Sequence, residues 1–269
     1  MIARLSGALA VVALCACGPK PGPGGPAGPA SAEDVAAIKS VVFDAQRAGF
    51  IRHDVDAYMA QWTDDATQVS ARAEQLGPYD FRMTRAQIEA TKRLRFDGSS
   101  IINAIEFRDP KIEVDGDGAV MHVVSQVGMM DSSETVGEIY KLRRTPEGWR
   151  VHENRFWTIS NMQHGEVVQW TPERYAALDE RVERERADGD TYELGIALME
   201  AQRYPEAYAA FKQVTEAQDV EAYDWVMRAQ LAMLVGEVED ALASYAAALA
   251  LDASMPVPAY AHKTRSGRM

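Results

Sequence analysis

Between Ile101 and Ile159 the chain reads as four extended runs: Ile101 to Val114, Ala119 to Met130, Glu134 to Arg144 and Trp149 to Ile159. Two of the breaks, Asp115-Gly116-Asp117-Gly118 and Thr145-Pro146-Glu147-Gly148, carry the residues of tight hairpins, because glycine tolerates backbone angles closed to other side chains. Strands joined by so few residues pair antiparallel, since a parallel pair needs a long crossover. The segment is therefore expected to fold as an antiparallel sheet.

The residues ahead of it follow the helical period. Ser31-Ala32-Glu33-Asp34 is a helix start, and Val35, Ile38, Val42 and Phe43 recur on one face through Gly49. Asp54 caps a second, short helix that would place Tyr58 and Trp62 four apart on one face until Asp64-Asp65-Ala66 breaks it. Thr84 opens a third, with Ile88, Thr91 and Leu94 along its inner side. Helices followed by a curled antiparallel sheet that wraps them is an α+β arrangement, expected over residues 31–160.

These stretches resemble the nuclear transport factor 2-like superfamily, which includes SnoaL-like polyketide cyclases and ketosteroid isomerases. The likeness rests on the helical opening, on His53-Asp54-Val55-Asp56-Ala57-Tyr58, on Trp62-Thr63-Asp64-Asp65-Ala66-Thr67 and on Gly148-Trp149-Arg150-Val151, and it covers about half the chain. It implies a cone whose open end holds a small apolar ligand, and homodimers formed through the sheet. Isomerase-type members carry their acid a few residues beyond the Asp-Asp-Ala turn, where this chain has Gln68, Val69 and Ser70. That departure argues against proton abstraction at that position, and function has to be argued from the site.

Period-two alternation puts Trp149, Val151, Glu153, Arg155 and Trp157 on one face of the last run. If that face looks into the cone, Glu153 with a raised pKa is an acid or base, and Arg155 holds an anionic ligand. If it looks outward, the two form a solvated ion pair of little weight. Tyr58 and Trp62 join them as candidate ligand-binding residues, with core packing the commoner fate of aromatics at this spacing. His152 and His122 are weaker catalytic candidates that would have to meet across strands; no third ligand is in view, so neither a metal site nor a cofactor is expected.

Thr171-Pro172-Glu173 starts a connecting helix, with Tyr175, Leu178 and Val182 on one face, within a connector placed at 161–189. From Asp190 the chain nearly repeats after about 34 residues: Gly195 aligns with Ala229, Ala207 with Ala241 and Phe211 with Tyr245. Residues 190–255 thus resemble two tetratricopeptide repeats, with Leu194 and Trp225 at further family positions, Pro205 opening a helix, Pro256 and Pro258 ending the module, and Arg228 departing from the expected Leu. In that family the first helix of each repeat lines a concave groove, which selects Tyr192, Ile196, Met199, Tyr223, Val226, Gln230 and Met233 for partner binding. An apolar, Met-containing groove suits a peptide or partner helix, and the same side chains are alternatively placed to dock on the first domain.

Both cysteines, Cys15 and Cys17, lie in the first twenty residues, which excludes a disulfide framework, a Cys zinc site and a Cys nucleophile from the remainder. Arg4 followed by the apolar run Leu5 to Leu14 is sized as a signal peptide and too short to span a bilayer. Leu14-Cys15-Ala16-Cys17 resembles the lipobox of bacterial lipoproteins, with Cys17 as lipidation site; Cys15 fits less well because bulky Leu14 precedes it. Residues 1–17 are then leader and anchor, and 18–30 a Pro and Gly spacer that cannot form helix or sheet. Gly18, where inner-membrane lipoproteins carry Asp, implies the outer membrane, facing the periplasm, if the source is Gram-negative.

A net charge of -12 points away from nucleic acid, whose phosphates need clustered Lys and Arg; His262, Lys263, Arg265 and Arg268 are a small basic tail within 256–269. The resulting expectation is a membrane-anchored lipoprotein of the cell envelope acting as a protein-interaction or small-ligand-binding module, without evident catalysis. The alternative is a SnoaL-like cyclase, dehydratase or isomerase acting on a small apolar substrate.

Overall fold

The computed structural model describes residues 30–96, 102–129, 132–163, 165–217 and 219–261. Cys15, Cys17, the spacer up to residue 29 and the basic residues His262, Lys263, Arg265 and Arg268 lie outside the described residues. Helix α1 (Ala32–Phe50) begins where expected: the Ser31 hydroxyl accepts from the Asp34 amide, and Glu33 and Asp34 occupy the first turn, where negative charge complements the helix dipole. Its buried stripe includes Ile38, Val42 and Ala45.

Helix α2 (Val55–Met59) is capped by Asp54, whose side chain accepts from the Ala57 amide. It stops earlier than the spacing suggested. Trp62 opens strand β1 (Trp62–Ser70), so Tyr58 and Trp62 do not share a helix, and Asp64-Asp65-Ala66 lies inside a strand. The Thr63 hydroxyl donates to the Asp65 carboxylate at 2.8 Å; such local side-chain bonding competes with helix continuation. Strand β2 (Phe81–Thr84) precedes α3 (Arg85–Phe96). There Thr84 Oγ1 accepts from the Gln87 amide at 3.4 Å while Gln87 Oε1 accepts from the Thr84 amide at 3.1 Å, a reciprocal cap.

Strands β3 (Ile102–Asp115), β4 (Gly118–Met129), β5 (Ser132–Thr145) and β6 (Gly148–Gln163) form the expected antiparallel ladder. Gly116 and Gly148 adopt φ of 57° and 110° at the two hairpins, angles that disfavour any side chain. The sheet order is β2-β1-β6-β5-β4-β3, with β1 parallel to β6. A strand not anticipated, β7 (Glu166–Gln169), pairs with the end of β6, so the sheet runs beyond residue 160. The main core lies between α1 to α3 and the concave sheet face, with Ile38, Val42, Tyr58, Trp62, Ile88, Met121, Tyr140 and Val151 among its members.

The remainder is helical: α4 (Pro172–Asp188), α5 (Thr191–Glu200), α6 (Tyr204–Thr215), α7 (Ala222–Val235) and α8 (Val238–Leu251), each packed on the next. The residues paired by the 34-residue offset are all buried. A Cβ on Gly195 would come within 2.8 Å of the Phe211 ring, and Ala207, Ala229, Ala241 and Tyr245 are buried.

Arg72, just past β1, holds the two parts together. Its guanidinium donates to both Asp179 oxygens, at 2.8 and 3.0 Å, and to the Ala201 carbonyl. It also stacks 4.4 Å from the Tyr79 ring and 4.9 Å from Tyr175, an arrangement that suits a planar guanidinium. A second contact lies at α3, where Leu94 packs against the helical residues and a Cβ added to Gly236 would come within 3.0 Å of Gln87 Cβ.

Among the described residues, Arg72→Ala leaves Asp179 with only the longer contact to Arg203, at 3.6 Å. Urea unfolding of this variant should show a loss of about 2 kcal/mol, the scale of a hydrogen bond to a charged group. An unchanged midpoint would show that the cluster does not seat the helices.

Candidate functional site

A cavity of about 750 Å³ opens between the concave sheet face and α3, and the helical part closes over one side of it. That volume suits a small organic molecule. Phe50, Met83, Ile88, Val127, Val136 and Phe156 supply apolar walls, while Tyr204, Met233 and Tyr260 enter from the helical part. Polar groups converge within it: Gln46, Gln68, Ser125, Glu138 and Asn154 from α1 and the sheet, Thr91 and Lys92 from α3.

Glu138 is the centre of the polar cluster. Its Oε1 accepts from the Ser125 hydroxyl at 2.6 Å, and its Oε2 accepts from the Tyr140 hydroxyl, from Asn154 Nδ2 at 3.4 Å and from Gln46 Nε2 at 3.5 Å. Gln46 Nε2 also donates to Tyr140, and Gln68 Nε2 donates to Asn154 Oδ1 at 2.9 Å. Burial raises the Glu138 carboxyl above its ordinary range, against the opposing effect of the Ser125, Tyr140 and Asn154 donors and of Lys92. Tyr140 is raised well above its ordinary range by burial and by the adjacent carboxyl. Lys92, 6% exposed, lies 4.3 Å from the Phe50 ring centroid. Burial, helped by the charge of Arg95 and opposed by Glu138, lowers it to about 7.

Glu153 does not join this cluster. Its strand carries a bulge: Leu142 pairs with Val151, yet Lys141 pairs with Glu153, which leaves His152 as an extra residue. Alternation therefore reverses there. Trp149 and Val151 enter the core, Asn154 and Phe156 reach the cavity, and Glu153 turns to the outer face. On that face it pairs with Arg82 and Lys141, each at 2.8 Å. Burial would raise its carboxyl, but the hydrogen bonds and charges of Lys141 and Arg82 prevail and hold it below the usual range. The expectation of a raised pKa at Glu153 is thus corrected.

Arg155 also points outward, 4.0 Å from Glu153 and donating to the Glu74 carbonyl at 2.8 Å. The histidines do not meet, because β5 separates their strands. His152 instead contacts Arg143 at 2.7 Å and Asp65 at 3.4 Å, and His122 contacts Glu74 at 3.3 Å. Tyr58 and Trp62 sit in the core, 1% and 4% exposed, behind the cavity wall. Among the described residues no cluster of three or more His, Cys, Asp or Glu is placed to hold a metal ion.

Of the groove residues, Val226 and Met233 are buried, and Met233 lines the cavity, as docking on the first domain requires. Tyr192, Ile196 and Met199 are half-buried against the Phe211 core, while Tyr223 and Gln230 are exposed.

Sequence reasoning missed Glu138 and Lys92, though each left a trace. Val136, Glu138, Tyr140 and Leu142 share one parity on β5, so Glu138 is the charge on an otherwise apolar line. Lys92 falls on the Ile88 and Phe96 stripe of α3, four residues from each.

No protein-family model matches the chain, and no curated sequence does. The structure is similar to a nuclear transport factor 2-like protein of unknown function from Pseudomonas putida KT2440, 17% identical over 52% of this chain and 96% of that one, with a TM-score of 0.41. It is also similar to a domain of unknown function with a cystatin-like fold from Nostoc punctiforme PCC 73102, 18% identical over 60% and 95%, with a TM-score of 0.40. A third, a nuclear transport factor 2-like protein of unknown function from Silicibacter pomeroyi DSS-3, is 17% identical over 47% and 96%, with a TM-score of 0.36.

The lowered proton affinity of Lys92 has a stability consequence. Below about pH 7 the folded chain must hold a desolvated ammonium; from there to 10.5, the ordinary value, the unfolded chain binds more protons, so stability rises with pH. Lys92→Met should therefore raise stability most below pH 7, with a gain that shrinks by about 1.4 kcal/mol for each step of one in pH as the ordinary lysine value is approached. Thermal unfolding of both proteins across this range checks it; a gain independent of pH would refute it.

Proposed function

We propose that this chain is a lipid-anchored protein of the cell envelope whose nuclear transport factor 2-like α+β unit binds a small, largely apolar molecule. The observation that carries the binding reading is the cavity, with apolar walls and one convergent polar cluster at Glu138. Such a site orients a ligand by its polar end while burial of the rest provides the driving force. The helical part, read as two tetratricopeptide-like repeats, covers the cavity with Met233, Tyr204 and Tyr260 and offers the exposed Tyr223 and Gln230 of α7 to a protein partner.

The anchor rests on Leu14-Cys15-Ala16-Cys17 and its apolar leader. Several acyl chains on Cys17 give durable attachment, and among the described residues no helix is long and apolar enough to cross a membrane. Homodimerisation through the sheet is implied by the family resemblance alone. The acidic net charge favours protein and small-molecule partners over nucleic acid.

A second reading, proton transfer of the cyclase, dehydratase or isomerase type, is favoured by one specific observation: a buried carboxyl with raised proton affinity, bonded to a tyrosine hydroxyl, inside the cavity. Glu138, rather than Glu153 with His152 or His122, is the acid or base in that reading.

Native mass spectrometry of the full chain, purified in detergent from its host envelope, tests both parts. The expected spectrum shows an acylated amino-terminal Cys17 and one small molecule retained per chain, lost in Val136→Trp, which fills the cavity. An unmodified Cys17 would overturn the anchor, and a folded chain free of any retained molecule would count against binding.

A further inference from the structure

Lys92 is poorly explained as a structural residue. An ammonium has three donors, and buried polar groups are normally hydrogen-bonded. Yet its ε-nitrogen has no hydrogen-bond or ion-pair partner among the described residues; what surrounds it are the rings of Phe50, Tyr58 and Phe96, at 4.3, 5.6 and 5.8 Å. The side chain nonetheless lines the cavity. Beside it on α3, the Thr91 hydroxyl is buried without a hydrogen-bond partner among the described residues and lines the cavity as well. The charged groups bordering the same space are Arg95, Glu134 and Glu138, and none forms an ion pair with Lys92.

We infer that Lys92 is a nucleophilic amine of the cavity, and that the molecule bound there is an aldehyde or ketone with an apolar body, held through a reversible imine. This inference rests on the small-molecule reading above and names its chemical class. A desolvated amine among apolar walls is the usual arrangement for activating a lysine toward carbonyl compounds, and its lowered proton affinity leaves a substantial neutral fraction at neutral pH.

Imine formation at Lys92 needs no added reagent. The Lys92 nitrogen lone pair forms the N–C bond as the carbonyl π pair moves to oxygen, and one amine proton follows to give a carbinolamine. The Glu138 carboxyl then supplies a proton to the hydroxyl, the C–O bond breaks, and water leaves. The nitrogen lone pair closes an iminium, whose charge the Glu138 carboxylate lining the same cavity balances. Water reverses each step and releases the carbonyl compound.

The test uses the full chain with 3-phenylpropanal and sodium cyanoborohydride near pH 7, followed by peptide mapping. 3-Phenylpropanol, which lacks the carbonyl, is the control for simple occupancy and is scored by thermal shift. The expected result is reductive alkylation of Lys92 at least tenfold faster than of Lys39, Lys111, Lys141 or Lys212, slowed by excess 3-phenylpropanol. Lys92→Arg should lose this labelling while keeping the thermal shift with the alcohol. Because the labelling is read on the unaltered chain, the test does not depend on that variant folding. Stabilisation by the alcohol with Lys92 labelled no faster than the surface lysines would overturn the amine and leave the binding reading standing. Absence of both the shift and the labelling would overturn the two together.

Discussion

Placing an ionisable carboxyl and an ionisable amine in one apolar cavity is the constraint around which the α+β unit is arranged. Transfer of an isolated charge into such surroundings costs far more than a typical domain's net stability, so buried groups change their proton affinity or acquire partners. The two groups here follow different courses. Glu138 is surrounded by polar partners drawn from α1, β4, β5 and β6, through Gln46, Ser125, Tyr140 and Asn154. Lys92 has aromatic faces in place of acceptors. An acid with four polar partners opposite an amine that has only ring faces among the described residues leaves the amine as the group that gains most from an incoming ligand.

The helical part belongs to the same arrangement. Without it the cavity would lack Tyr204, Met233 and Tyr260 along one side, and the field around Lys92 and Glu138 would be weakened by water. The Arg72 cluster matters to the chemistry for this reason, although it lies apart from the cavity. It fixes α4 and the end of α5 to the segment after β1 through one planar group bonded to a carboxylate and a carbonyl and stacked on two rings. A module that reads as an interaction surface thus spends part of that surface on its own chain, and only Tyr223 and Gln230 of the groove positions on α7 remain exposed.

Local signals carried much of the fold. Ser31, Asp54 and Thr84 cap helices as their side chains require, and the glycine turns at 115–118 and 145–148 join the strands they separate. In the helical part Gly195 lies against Phe211, and Ala229 is buried with Tyr245. What failed was phase. Period two is exact only in an unbroken strand, and the bulge at His152 moved Glu153 to the outer face and Asn154 inside. No composition rule announces such an insertion. The ends of α2 and β1 failed for a related reason: Trp62 fits a helical face and a strand equally well, and only pairing with Val151 on the distant β6 decides between them. The site was hidden because the sequence offers several carboxylates at alternating positions, and which of them lies inside depends on that tertiary choice.

Burial of the Glu138 carboxyl in the cavity outweighs the effect of its donors. Infrared difference titration of the full chain, with Glu138→Gln as the reference that removes its bands, measures this directly. The expected result is a protonated-carboxyl band assigned to Glu138 that persists above pH 4.5, the ordinary glutamate value, and that responds when a ligand enters the cavity. A Glu138 carboxylate that titrates at or below that value, or that is indifferent to ligand, would contradict it.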